Sequence, residues 1–240
     1  MTKKLGLFGL ALVLMVGLGL FAGSRSAGPG QTLLPTMQAQ AETAAAPAAT
    51  TTTTTEAAPA ADPAAVTVPE LVLGNPDAKV TLTEYASYTC PHCANFHEAV
   101  FTKLKTDYID TGKVRFVFRE VYFDKYGLWA SMIARCGGDM RYFGINGILM
   151  STQKEWAASD DPTVVIENLK KIGRTAGMDD AAMGACLDDK AMAEAMVAAF
   201  QANMTADAVE GTPTLFVNGT KYGNMGYDEL KAILDAELAK

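Results

Sequence analysis

Basic charge is scarce in this chain. Lys and Arg total 20 against 27 Asp and Glu, a formal net charge of −7 over 240 residues. A nucleic-acid-binding surface needs a basic face to displace counterions from phosphates, and this balance argues against one. Cysteine is scarce too, and four residues are far too few for a small disulfide-stapled scaffold. There is no series of apolar spans, which excludes a multi-span transporter. Histidine occurs only twice, at His92 and His97. What is present is a chain 49% apolar, enough for a sizeable core, with a length that allows one or two domains.

The first 65 residues do not read as fold. Lys3 and Lys4 precede an uncharged run from Leu5 to Ser24 rich in Leu, Gly, Val and Phe. A basic start followed by an apolar run is the pattern of a secretory signal, and about twenty apolar residues also suffice for a membrane anchor. Residues 1–24 are therefore a signal peptide, with Ala39-Gln40-Ala41 a distant small-x-small cleavage site, or an uncleaved signal anchor. In both cases the lysines stay cytoplasmic and the rest is exported. Residues 25–65 are dominated by Ala, Thr and Pro, with Thr50 to Thr55 unbroken. Such a segment has almost nothing large and apolar to bury, so it cannot offset the entropy of ordering and reads as a disordered tether.

Residues 66–240 read as one domain with an insertion. Lys79 to Tyr85 alternates loosely between apolar and polar, as a strand does. Thr89 or Cys90 can then cap a helix whose first turn contains Pro91. Cys93, Phe96, Val100 and Leu104 give that helix one apolar face, and Gly112 ends the unit. Val114 to Phe118 is dense in β formers. Two strands bracketing a helix predict a βαβ unit with parallel strands. Residues 126–207, rich in Ala and Met and punctuated by Gly137-Gly138, Asp161-Pro162 and Gly177, predict a helical block. Thr214 to Val217 predicts a strand, Asn218-Gly219 a hairpin, and Tyr227 to Leu238 a closing amphipathic helix. The twelve methionines read mainly as core filler, with Met225 a candidate lining for an apolar peptide groove. Phe116, Phe118, Tyr122 and Phe123 read as core. The sum is an α/β sheet with an inserted all-helical subdomain.

The chemistry lies in Cys90-Pro91-His92-Cys93. A helix N-terminus carries partial positive charge and unpaired N–H groups, and both favour a thiolate at Cys90. Cys93, one turn inward on the apolar face, is the less exposed resolving thiol. His92 lies between them, where an imidazolium adds to the stabilisation of the thiolate. A low-pKa thiol is a good leaving group and destabilises the disulfide relative to the dithiol, which makes the pair oxidising.

This Cys-Pro-His-Cys after a strand, followed by a helical insertion and a later Thr212-Pro213, resembles the DsbA family of thioredoxin-fold oxidoreductases over residues 66–240. The resemblance implies a thioredoxin-like fold. It implies that Glu84, six residues before Cys90, is the buried acid beneath the site, available to accept the proton of Cys93. It implies that Thr212-Pro213 is the cis-proline loop that faces the disulfide and pairs with an extended substrate peptide. Thr212 departs from the Val common there in the strongest oxidases and is more usual in isomerases, so the poise between oxidase and isomerase stays open.

Cys136 and Cys186 both fall in the helical block. In an exported protein they read as a structural disulfide, with two buried free thiols as the alternative. Some DsbA-like proteins are similar in carrying a second disulfide there. Cys90, Cys93 and His97 share a helix face and form a candidate metal set lacking a fourth ligand, in which case the chain is a metal-binding envelope protein. Otherwise His97 is a partly exposed polar residue of the first helix. The favoured function is a monomeric periplasmic thiol:disulfide oxidoreductase, soluble or tethered to the inner membrane, that needs no cofactor or metal. It oxidises exported unfolded proteins with free thiols. The resemblance also implies reoxidation by a DsbB-like, quinone-linked membrane partner. An isomerase or reductase with the same site is the alternative.

Overall fold

The computed structural model describes residues 66–240. The signal and tether expected over residues 1–65 lie outside the described residues. Five strands form one sheet in the order β1-β3-β2-β4-β5. They are β1 (Leu71–Leu73), β2 (Val80–Ala86), β3 (Val114–Glu120), β4 (Thr214–Val217) and β5 (Thr220–Tyr222). β2 and β3 are parallel, with Val80 opposite Val114 and Glu84 opposite Phe118. β1 joins β3, and β4 joins both β2 and β5, all antiparallel. β2 is thus a central strand, and Val80, Leu82, Tyr85 and Ala86 are all buried. β1 was not foreseen. Three residues carry too little periodicity to read, and its place is set by the distant partner β3.

The helix after β2 starts as predicted, with Cys90 at the N-cap and Pro91 at its first position. It runs through α1 (Pro91–Phe96), a π-helical turn His97–Phe101, α2 (Thr102–Leu104) and a second π-helical turn Lys105–Ile109. Cys93, Phe96, Val100 and Leu104 are buried, as their spacing requires. The π-helical turns widen the spiral by a residue each and have no signature in the sequence.

Six helices lie between β3 and β4: α3 (Lys125–Cys136), α4 (Asp139–Ser151), α5 (Gln153–Trp156), α6 (Pro162–Thr175), α7 (Asp180–Leu187) and α8 (Lys190–Ala206). Aspartate caps organise them. Asp124, Asp161, Asp179 and Asp189 each accept backbone N–H bonds at the starts of α3, α6, α7 and α8, which satisfies donors the helices cannot satisfy themselves. Asn218 and Gly219 both take positive φ, 46° and 83°, the geometry that matches a tight hairpin to the twist of its strands. α9 (Tyr227–Leu238) closes the chain against β2 and the first π-helical turn.

This is the thioredoxin-like α/β fold with inserted helices that the sequence predicts. Phe116 and Phe118 are core and Tyr122 is half-buried, while Phe123 is 58% exposed, against expectation. It directly precedes the Asp124 cap, in the link between β3 and α3. Met225 is half-buried against the core.

Candidate active site

Ser87, Tyr88 and Thr89 lead from β2 into the helix, and hydrogen bonds fix their path. Cys90 N–H donates to the Ser87 carbonyl at 3.1 Å. The Thr89 hydroxyl donates to Asp124 at 2.6 Å. Gln153, at the start of α5, donates from Nε2 to the Tyr88 carbonyl at 2.7 Å and to the Cys90 carbonyl at 3.0 Å. Below them the Tyr88 hydroxyl meets the Tyr142 hydroxyl at 2.8 Å and accepts from Asn146 at 3.1 Å. Gln153, Tyr142 and Asn146 belong to the inserted helices, far from the motif in sequence, and nothing near the motif signals them.

Cys90 and Cys93 are free thiols. Cys90 is half-exposed and Cys93 fully buried. The two differ sharply in acidity. Cys90 falls from 9.0 to about 5, chiefly through a hydrogen bond from the Cys93 thiol; burial opposes this, and the Thr212 side chain and the backbone N–H groups of Cys93 and His92 add to it. Cys93 is pushed far above the usual thiol range by its bond to Cys90, by burial and by the charge of Glu84. Pro91 and His92 are exposed. The backbone N–H of His92 is among the groups that lower Cys90.

The Thr212–Pro213 peptide is cis. The Thr212 carbonyl lies 3.5 Å from Cys90 Sγ, positioned to accept from the thiol. The Thr212 hydroxyl is sealed from solvent and has no hydrogen-bond partner among the described residues, so it is free to donate once Cys90 ionises.

Glu84 is completely buried on the central strand beneath this site, not an edge-strand carboxylate. His97 is only 6% exposed, which corrects the expectation of a partly exposed polar residue. Its Nε2 lies 2.9 Å from Glu84 Oε2, and its ring stacks on Phe101 with centroids 4.6 Å apart. The signal was present, because His97 follows Cys93 by one turn on the apolar face. His97 is directed to Glu84, and no cluster of three or more His, Cys, Asp or Glu able to hold a metal occurs among the described residues. Cys136 and Cys186 form a disulfide joining α3 to α7.

A sheet of this order, with inserted helices, two cysteines at a helix N-terminus and a cis-proline facing them, defines a DsbA-like protein of thioredoxin fold. The chain belongs to the thioredoxin family, whose model matches residues 66–236. It is 37% identical over 167 residues to a putative protein-disulfide oxidoreductase of Rickettsia bellii, covering 69% of this chain and 63% of the relative. The match therefore spans less than two thirds of that relative's length. It is 28% identical to disulfide bond formation protein D of Bacillus subtilis, over 70% of this chain and 76% of the relative. The crystal structure of Wolbachia pipientis alpha-DsbA1 superposes with a TM-score of 0.67 at 27% identity, covering 72% of this chain and 94% of that one.

Proposed function

We propose that this chain is a thiol:disulfide oxidoreductase that donates the Cys90–Cys93 disulfide to exported proteins. The observation that carries the reading is the opposite displacement of the two thiols, Cys90 down to about 5 and Cys93 upward. A substrate thiolate attacks Cys90 Sγ of the oxidised pair, and the electron pair of the broken S–S bond leaves on Cys93, which takes up a proton. The substrate's second thiolate then attacks its own sulfur in the mixed disulfide and expels Cys90 as a stabilised thiolate. A leaving thiol this acidic makes the dithiol the favoured form, so the pair is a disulfide donor. Thr212 and Pro213 bind an extended substrate strand beside Cys90. The cofactor-free, monomeric protein works in the bacterial periplasm, released or held by its N-terminal segment, and a DsbB-like quinone-linked membrane protein reoxidises it. Among the described residues no helix is long and apolar enough to cross a membrane.

Equilibration against glutathione buffers, with each cysteine followed by mass after alkylation, tests the reading. A pair that stays reduced except in strongly oxidising buffer supports a donor. A potential near that of thioredoxin overturns it in favour of a reductase or isomerase, for which Thr212 beside the reactive sulfur is the specific pointer.

A further inference from the structure

Beneath the thiols lies a pair of titratable side chains outside the sulfur-to-sulfur step itself. Glu84 Oε2 and His97 Nε2 are 2.9 Å apart in side chains 0% and 5% exposed. Glu84 Oε1 is buried and has no hydrogen-bond partner among the described residues. The His97 ring is held between Phe101, stacked at 4.6 Å, and the edge of Phe118 at 5.9 Å. His97 also lines a cavity of about 740 Å³ between the first helix and α4–α5. Gly144 and Gly147 of α4 line the same cavity, and a Cβ at either would meet nothing within 4 Å.

We propose that His97 passes protons between this cavity and the buried Glu84–Cys93 pair, with the cavity as the solvent entrance. The inference rests on the exchange chemistry proposed above. When the Cys90–Cys93 bond breaks, Cys93 Sγ holds the electron pair inside the core and needs a proton. The proton reaches Cys93 through the Glu84 carboxyl group, which exchanges protons with His97 across the 2.9 Å contact. His97 recovers its proton from water in the cavity. Reoxidation runs the path in reverse, and no redox partner is involved in the transfer itself. His97 acts through Glu84 and does not touch the reacting sulfurs.

Few charges compete for this role. β2 presents Glu84 and β3 presents Phe118 to the ring. Glu98, Lys105 and Asp110 line the cavity from the first helix and its end, and Lys154 from α5; α4 contributes no charged group. Lys105 and Asp110 are themselves paired at 2.6 Å.

The test is the rate at which a dithiol such as dithiothreitol reduces Cys90–Cys93 in the full chain between pH 5 and 8. His97→Gln is expected to slow this step at least about tenfold and to flatten its pH profile, with the Cys90 thiolate titration unchanged. His97→Ala is expected to regain rate on addition of imidazole, and a further Gly147→Leu to abolish that rescue by filling the cavity. A His97→Gln protein within twofold of the parent rate (a change of roughly 0.4 kcal/mol) and with the parent pH profile overturns the proposal. So does a folded His97→Ala protein that imidazole does not rescue. If His97→Ala does not fold, Gly147→Leu alone decides, because a filled cavity must slow the parent protein. Dithiothreitol reduces the pair whichever direction it serves, so failure of the donor reading appears in the redox potential and not in these rates.

Discussion

Arg135 donates from Nε to Glu120 at 2.7 Å, and their side chains are 15% and 2% exposed. Glu120 is the last residue of β3 and Arg135 immediately precedes Cys136 in α3. The same carboxylate accepts hydroxyl protons from Tyr142 and Tyr122, both at 2.8 Å. Removing Arg135 leaves a buried charge uncompensated, which costs about 3–5 kcal/mol. Arg135→Ala is therefore expected to lose stability on that scale in urea unfolding, with the parent retaining a single transition. A loss under about 1 kcal/mol would place the ion pair among those of surface value.

Ultraviolet absorbance of the Cys90 thiolate is expected to titrate near pH 5, with no second thiolate up to pH 9. Cys90 starts from 9.0 and falls to about 5 on folding, while Cys93 moves upward. Because the folded value lies below the unfolded one, the reduced protein gains stability that is complete above about pH 9. That gain shrinks as pH falls and is gone below about pH 5. The urea midpoint of the Cys90–Cys93 dithiol protein should thus rise relative to that of the disulfide form as pH goes from 5 to 9. A gap that does not change over this range would contradict the depressed thiol.

Cys136→Ser with Cys186→Ser removes a cross-link of sequence separation 50. A chain-entropy estimate puts its contribution at about 4 kcal/mol, an upper figure for one bond. Thermal or urea unfolding should register a loss of that order or less, and the Cys90 titration should stay in place, because neither residue is among the groups that shift it. A displaced titration would tie the bond to the reactive pair.

Gln153→Ala removes both hydrogen bonds to the reactive loop, and the Tyr88 carbonyl loses its 2.7 Å donor. An orphaned buried acceptor costs about 1–3 kcal/mol. Amide hydrogen exchange over residues 88–94 is expected to accelerate more than in β2. Uniform acceleration across the sheet would assign Gln153 to global packing alone.

The features legible in the sequence are those with local causes. Pro91 at a helix start, Asn218-Gly219 between strand formers and the spacing of Leu230 and Leu234 in α9 each act on their own neighbours. So the parallel pair β2–β3, the hairpin and the closing helix follow from the chain itself. His97 carried a partial signal in its one-turn offset from Cys93, but the carboxylate that makes its burial tolerable is on another element. Glu120, Arg135, Tyr142 and Tyr88 meet only in three dimensions, and pairwise spacing offers no trace of such a network. Phe123 shows the opposite error, since hydrophobicity marks residues able to enter a core and topology decides which do.

The backbone of the reactive loop is held from outside its own sheet. Gln153 holds its carbonyls, Tyr142 and Asn146 hold the Tyr88 hydroxyl, and Asp124 holds Thr89. The inserted helices are therefore not a detachable module. A shortened chain that joins β3 directly to β4 would keep both cysteines and the proline opposite them, yet strip the loop of these partners. Engineering a minimal exchange protein from this fold requires replacing those anchors before removing the helices that carry them.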